Sequence, residues 1–156
     1  MSKKRRRSRT EIEGELHWAR PCSRPKFIPV PKRLRGARAA GKAYERKFAK
    51  RLVDAEYEPW FEFEDDRGVG WCAPDFLITV DNTLVVVECK LTVTDKAVEK
   101  FEGLYKPVLQ QALGFENVVL VQVFKHFTKG FKKPLLKGVE DLYNGHLSAV
   151  NWLNWR

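Results

Sequence analysis

The sequence predicts a single α/β domain with an αβββαβ core, in which a mixed central sheet is flanked by helices. A helical apolar repeat begins at Gly41, strand-like segments follow it, and a second helical segment separates the last strand from the others. This order is typical of a mixed sheet covered by helices. The chain has 156 residues, of which 44% are hydrophobic and 12% aromatic, which is enough for one sizeable core.

The first predicted helix begins at Gly41 and ends before Pro59. Its apolar residues recur at intervals of four: Tyr44, Phe48 and Leu52. Glu45 lies at the edge of this apolar face, three residues before Phe48. A carboxylate in that position needs a partner, and the residues leave open whether the partner is a Lys or Arg one turn away or a functional group.

Three strands are predicted after this helix. Residues 60–64 alternate apolar and acidic side chains and indicate a strand, whereas residues 65–70 indicate a glycine-containing loop. Residues 73–80 and 84–90 form a predicted hairpin that turns between Asp81 and Asn82. The register that follows has three pairs: Val80 with Thr83, Ile78 with Val85 and Asp75 with Glu88.

The predicted hairpin places two carboxylates opposite each other. Because strand side chains alternate between faces, Asp75, Glu88 and Lys90 share one face. Like charges opposed across a ladder destabilise it, and the surrounding Val, Leu and Ile residues indicate a buried setting. A divalent cation with oxygen ligands usually offsets such a cost, and Lys90 adds a positive donor beside it.

The remaining elements of the core are a helix and a strand. Residues 95–113 predict a helix, with Pro107 beginning or kinking a second helical piece. Residues 117–124 are mostly apolar and predict a fourth strand that is central or covered on both faces.

Composition divides the chain into a basic arm (residues 1–40), a core (residues 41–127) and a C-terminal extension of the same domain (residues 128–156). The arm has thirteen Lys or Arg between residues 3 and 38 and should be extended or disordered when alone. Two questions stay open: whether His17 and Trp18 stack on a base or pack on the core, and whether Trp152 and Trp155 cover the sheet or a second subunit.

The formal net charge of +9 is unevenly distributed. Lys and Arg crowd residues 3–51, while residues 54–66 hold seven acids. This asymmetry indicates a polyanionic partner, with the arm binding phosphates, although a basic chain can also be simply well solvated. Three widely spaced cysteines without a CxxC pair indicate neither disulfides nor zinc, and no apolar run is long enough to span a membrane. A cytoplasmic protein is expected.

Several of these residues form a pattern known from nucleases. Pro74 precedes Asp75, Glu88-Cys89-Lys90 begins thirteen residues after Asp75, and Glu45 lies on a preceding helix. The chain thus resembles the PD-(D/E)XK nuclease superfamily, which has a restriction-endonuclease-like core. The resemblance implies a Mg²⁺- or Mn²⁺-dependent phosphodiester hydrolase.

The resemblance also implies a role for each residue of the pattern. Asp75 and Glu88 would hold the metal together with the main-chain carbonyl of Cys89, and Glu45 would make a water-mediated or second metal contact. Lys90 would position or activate the attacking water and stabilise charge on the phosphate.

Residues 41–52 are similar to the opening helix of archaeal-type Holliday junction resolvases, and small phage nucleases share this core. The resemblance implies a homodimer that makes paired nicks in four-way DNA junctions. The candidate DNA contacts are basic residues of the helix and the arm: Lys42, Arg46, Lys47, Lys50, Arg51, Arg33, Arg35 and Arg38. Gln110 or Gln111 are accessory candidates, although a surface amide is the simpler interpretation of each.

Two alternative functions remain. One is a DNA exonuclease or less selective endonuclease of the same superfamily, which differs only in substrate preference. The other is a non-catalytic DNA-binding protein that keeps the fold.

Overall fold

The computed structural model describes residues 9–28 and 35–156, which form an α/β fold with two sheets and few helices. The strands are β1 (Trp18–Cys22), β2 (Ala55–Tyr57), β3 (Trp60–Asp65), β4 (Gly68–Cys72), β5 (Phe76–Val80), β6 (Thr83–Thr92), β7 (Asn117–His126) and β8 (Val150–Asn154). The helices are α1 (Gly36–Ala49), α2 (Asp95–Lys100) and α3 (Lys106–Leu113), with a π-helical turn at Phe101–Tyr105 and a 3₁₀ turn at Val139–Tyr143.

The five-stranded sheet is mixed, with strand order β2-β5-β6-β7-β8. Strands β2, β5 and β6 are antiparallel, whereas β6, β7 and β8 are parallel. The predicted hairpin register is confirmed, since Val80 pairs with Thr83 and Ile78 with Val85. Asp81 makes the tight turn possible with a φ of 51°, a conformation that Asp adopts more readily than most residues.

Helices cover both faces of this sheet, and β6 alternates between them. Val85 and Val87 pack in the cluster that contains Phe48 of α1, while Leu84 and Val86 pack in the cluster of the α2–α3 segment. All four valine and leucine side chains are at most 2% exposed. Strand β7 lies between β6 and β8 and is buried from Val118 to Phe124, as its apolar sequence predicts.

The helical segment after β6 is interrupted where Pro107 was expected to act. Pro107 has no N–H to donate and its ring crowds the carbonyl one turn earlier, so the segment cannot continue as a regular helix. A π-helical turn absorbs the irregularity, with the Lys106 N–H donating to the Phe101 carbonyl, and α3 begins at Lys106. This confirms the prediction of a second helical piece.

The prediction for residues 60–70 is wrong in two respects. Strand β3 does not join the hairpin's sheet but lies between β1 and β4 in an antiparallel three-stranded sheet, and residues 68–70 belong to β4 rather than to a loop. Gly70 pairs with Phe63, and a Cβ at Gly70 would lie 2.6 Å from the Phe63 ring. The glycine therefore marks close packing within a strand and not a loop.

The basic arm is structured in the residues described above. Strand β1 pairs with β3, and α1 begins at Gly36 instead of Gly41 because the alanines after Gly36 favour helix. Buried Asp65 accepts hydrogen bonds from Arg9 and from the N–H groups of Glu13 (2.8 Å) and Arg67 (3.0 Å). Burial opposes ionisation of Asp65, but these donors outweigh it and lower its pKa.

Three of the aromatic residues whose roles the sequence left open make contacts within the chain. Trp18 Nε1 donates to Glu64 Oε2 over 2.6 Å, and a ring nitrogen of His17 lies 2.9 Å from Asp66 Oδ1. Trp155 covers α1, with its ring centroid 5.2 Å from that of Phe48. None of the helices in the described part of the chain is long and apolar enough to cross a membrane.

We expect Asp65→Asn to lower the free energy of unfolding by about 2–4 kcal/mol, because it leaves the largely buried Arg9 guanidinium without its counter-charge. Urea denaturation measures this. Asp66→Asn is the matched control: Asp66 is exposed and its loss should cost less than about 1 kcal/mol. Equal destabilisation by the two variants would contradict the role of Asp65.

Candidate active site

The end of the β5–β6 hairpin brings Asp75 and Glu88 together. The ladder ends at the pair Phe76–Val87, and Asp75 and Glu88 are the next residues in the same register. The Asp75 N–H donates to Glu88 Oε1 over 2.9 Å, and the Cys89 N–H donates to Asp75 Oδ2 over 2.8 Å. Each carboxylate therefore binds the backbone of the opposite strand with one oxygen and retains a second oxygen.

Glu45 adds a third buried carboxylate, carried by α1. Glu45 is 6% exposed, and its Oε2 lies 3.0 Å from Lys42 Nζ. Its other oxygen, Oε1, is buried and has no hydrogen-bond partner among the described residues. An unpartnered buried oxygen is costly.

The pKa values of Asp75 and Glu88 are both perturbed by burial and by neighbouring charges. Burial, followed by the charges of Glu88 and Glu45, raises the pKa of Asp75 well above its ordinary value. Burial also raises the pKa of Glu88 to about 7, although the Asp75 N–H, Lys90 and Lys100 act in the opposite direction. The raised pKa values mean that ionising both acids crowds negative charge into the cluster, and a bound cation would stabilise the ionised form.

Lys90 is exposed and follows Glu88 by two residues, so the two side chains lie on the same face of β6. Cys89 points to the opposite face, where it packs against the core beside α1. The Cys89 side chain is therefore part of the core, and only its main-chain carbonyl is a candidate ligand.

Sequence reasoning missed two neighbours of Glu88, which are Lys100 and Tyr105. Lys100 acts electrostatically on Glu88, and its Nζ lies 5.2 Å from the Tyr105 ring centroid. Tyr105 is buried, and its hydroxyl donates to the Ala73 carbonyl over 3.3 Å. Residues five apart diverge on an α-helix but approach each other across a π turn, so Pro107 was the only sequence signal for this arrangement.

Lys42, a predicted DNA contact, has partners inside the protein. Its Nζ lies 3.0 Å from Glu45 Oε2, 3.7 Å from Glu58 Oε2 and 5.0 Å from the Tyr57 ring centroid. Burial lowers the pKa of Lys42, but the hydrogen bonds to Tyr57 and Glu45 outweigh it and raise the pKa overall. The sequence left open whether Glu45 has a Lys or Arg partner one turn away, and Lys42 is that partner.

The other basic residues of α1 face solvent. Six of the predicted DNA contacts are exposed and form no ion pair with any residue in the described ranges: Arg35, Arg38, Arg46, Lys47, Lys50 and Arg51. Arg33 lies outside the described residues. The outer face of α1 thus carries uncompensated positive charge, while its inner face holds Glu45.

The structure does not bring the accessory candidates to the acids. Gln110 Nε2 donates to the Glu116 carbonyl over 2.9 Å, just before β7, and Gln111 is exposed on the same short helix. The start of β7 pairs with Thr83, which is five residues, or about 17 Å, from Glu88 along β6. The two glutamines therefore lie near one end of the sheet, and the acids lie near the other.

A different glutamine lies next to Glu88. Gln122 is fully buried on β7 and is the Cα partner of Glu88. Its amide oxygen accepts from the Thr94 N–H over 2.9 Å, and its amide nitrogen donates to the Thr94 carbonyl over 3.0 Å. Gln122 therefore fixes the chain where it leaves β6 for α2.

Comparison with known proteins gives no relative: no protein-family model, curated protein or solved structure matches the chain. Within residues 9–28 and 35–156, no group of three or more His, Cys, Asp or Glu side chains is arranged to hold a metal ion. Function is therefore inferred from the chemistry of the hairpin end and from the distribution of charge.

The raised pKa of Glu88 predicts a pH-dependent stability in EDTA. The unfolded carboxyl loses its proton near pH 4.5, whereas the folded one holds it to about pH 7. This group thus contributes stability that is full below pH 4.5 and falls by about 3 kcal/mol as the pH rises to about 7. We expect Glu88→Gln to flatten this part of the profile in urea denaturation between pH 4 and 8.

The control for this prediction is Glu102→Gln, which changes an exposed acid on the π turn. That variant should keep the wild-type slope. Parallel profiles for wild type and Glu88→Gln would show that Glu88 ionises normally.

Proposed function

We propose that this protein is a divalent-metal-dependent DNA endonuclease that acts on branched DNA, with four-way junctions as its preferred substrate. The observation that carries the proposal is the hairpin end, where Asp75 and Glu88 are held together by reciprocal backbone hydrogen bonds next to buried Glu45. A cluster that holds carboxylates together against their repulsion is typical of a functional site.

The chemistry of the donors fits Mg²⁺ or Mn²⁺. Asp75, Glu88 and the Cys89 main-chain carbonyl would hold the ion, and all of them offer the oxygen ligands that these cations prefer. The unpartnered Oε1 of Glu45 would gain a water-mediated or direct contact. When bound, such an ion acidifies a water molecule and neutralises phosphoryl oxygens.

The side chains of the protein would orient the substrate. Lys90, exposed beside Glu88, would donate to a phosphate oxygen and stabilise the charge that develops there. Lys100 would favour the ionised form of Glu88, and Tyr105 would fix the backbone before Asp75 through its bond to Ala73. Ionised carboxylates are required for metal binding, so activity should increase with pH as Glu88 loses its proton.

The topology supports the assignment to the PD-(D/E)XK type. In the five-stranded sheet, α1 is followed by β2, β5 and β6, then by the α2–α3 segment and β7. This is the αβββαβ order that the sequence resemblance implies, with β2 as the first strand in place of β3. In the sequence, β3 and β4 come between β2 and β5, but they pair with β1 in the separate three-stranded sheet.

Positive charge on α1 supports DNA as the substrate. The exposed Arg46 and Lys47 follow Glu45 directly on α1, and Lys50 lies at the C-terminal end of the same helix. Phosphates bound on this face would position DNA near the acids without base recognition. Paired nicks in a two-fold symmetric junction would require a homodimer.

The test of the reaction is cleavage of labelled four-way junction, splayed, single-stranded and linear duplex DNA with Mg²⁺, Mn²⁺ or EDTA. We expect paired nicks near the branch point that are lost in EDTA. Asp75→Asn and Lys90→Ala should each reduce cleavage at least about a hundredfold, because each removes a proposed catalytic group. DNA affinity in EDTA should be nearly unchanged, because the basic residues of α1 remain in both variants.

Cys89→Val is the matched control, because it keeps the main-chain carbonyl and the core contact and should leave cleavage largely intact. Cleavage of ends or linear duplex would favour the less selective nuclease. Metal-independent binding without cleavage, unchanged in Asp75→Asn, would instead identify a DNA-binding protein.

DNA affinity should depend steeply on salt. We expect the triple variant Arg46→Gln, Lys47→Gln, Lys50→Gln to reduce the slope of log K against log salt by about three for duplex DNA, because each phosphate contact releases about one counterion. Fluorescence anisotropy in EDTA measures the slope. Arg67→Gln, on the β3–β4 turn, is the control and should not change it; a flat salt dependence of the wild type would rule out phosphate binding by α1.

A further inference from the structure

A cluster of aromatic rings lies beside Lys90 at the same end of the sheet. It consists of Phe124, Phe127, Phe131 and Trp152. The Phe127 and Phe131 ring centroids are 5.4 Å apart, and those of Phe131 and Trp152 are 6.4 Å apart. Phe124 is fully buried and anchors the cluster, whereas Phe127 is 43% exposed. The cluster thus combines a buried base with an exposed ring that a partner can reach.

The segment that carries these rings is strongly basic. Residues 125–138 contain five exposed lysines and no acid: Lys125, Lys129, Lys132, Lys133 and Lys137. None of them forms an ion pair with a residue of the described ranges. The Lys133 ammonium lies 5.6 Å from the Trp152 ring centroid, so charge and rings share one surface.

The surface adjoins the acid pair through the β6–β7 register. Phe124 is the Cα partner of Lys90, and the two neighbouring strands lie about 4.8 Å apart. Because side chains alternate along parallel strands in register, Phe124 and Lys90 also share a sheet face with Glu88. A chain bound along the rings would thus approach Lys90 directly.

We propose that this aromatic–lysine cluster binds a segment of single-stranded DNA, with a base stacked on Phe127 and phosphates paired with the surrounding lysines. A partner for this surface must present flat apolar groups and regularly spaced negative charge together. An unpaired DNA strand presents both, whereas duplex DNA hides its base faces. The binding itself does not depend on catalysis, but its placement of a strand at Lys90 rests on the proposed function.

The test uses the full-length protein in EDTA with a fluorescent thymidine oligonucleotide of about 20 nucleotides and a blunt duplex of matched length. We expect Phe127→Leu to weaken oligonucleotide binding about fivefold or more and duplex binding less than about twofold, because leucine keeps the apolar contact but cannot stack. Phe127→Trp should restore the affinity. Thermal unfolding verifies that each variant is folded.

Phe27→Leu is the control, since Phe27 is another exposed ring, 53% accessible, that packs edge-on against Trp71 away from this segment. It should leave both affinities unchanged. An unchanged affinity of Phe127→Leu, an equal loss for oligonucleotide and duplex, or tighter binding of a uridine RNA of the same length would each overturn the proposal.

The outcomes also separate this inference from the nuclease proposal. Asp75→Asn should bind the oligonucleotide like the wild type, because Asp75 does not belong to the cluster. If no DNA is cleaved under any metal condition but Phe127→Leu still loses oligonucleotide binding selectively, the strand-binding surface stands and the nuclease proposal fails.

Discussion

The reciprocal hydrogen bonds between Asp75 and Glu88 across the end of the β5–β6 hairpin are the constraint on which the site depends. Each carboxylate accepts from the opposite backbone, so the strands are joined at the point where like charges would separate them. The apolar clusters on both faces of β6 keep this register, because a slip of one residue would exchange the buried valines and leucines between two differently filled cores. The remaining parts of the site come from elements packed on these faces: α1 supplies Glu45, and the π turn supplies Tyr105.

The hairpin was predictable from the sequence because two local rules act together, namely the period of two in strand side chains and the turn chemistry of Asp81. Other predictions failed where one local signal can have two structural causes, or where an element is too short to give a signal. Gly70 indicated a loop but serves close packing against Phe63, and β2 is too short for periodicity to detect. Spacing offered a Lys or Arg one turn from Glu45 without selecting Lys42, which also contacts the Tyr57 ring. Spacing gave no signal for Lys100, which lies next to the π-helical turn.

The charge asymmetry of the chain has an internal explanation as well as an external one. The acids of β3 and its turn pair with the segment before and within β1: Asp65 with Arg9, Asp66 with His17, and Glu62 with Arg20. Part of the basic arm is therefore neutralised within the three-stranded sheet. In the described part of the chain, the uncompensated cations concentrate on the outer face of α1 and on residues 125–138. Helix α1 packs on the sheet face that carries Val85 and Val87, whereas Phe124, just before the second segment, lies on the other face.

This division of charge favours branched DNA over linear DNA as the proposed substrate. A duplex on α1 needs only phosphate contacts, which any linear DNA supplies, so α1 provides affinity without selectivity. Contact with the aromatic–lysine cluster requires exposed base faces, which a regular duplex offers only after unstacking at a cost of a few kcal/mol per base. A branch point presents paired arms and weakly stacked bases together, so it can occupy both surfaces without that full cost. Because the cluster adjoins Lys90 and α1 carries Glu45, double occupancy would place the strand at the junction of paired and unpaired DNA near the proposed catalytic groups.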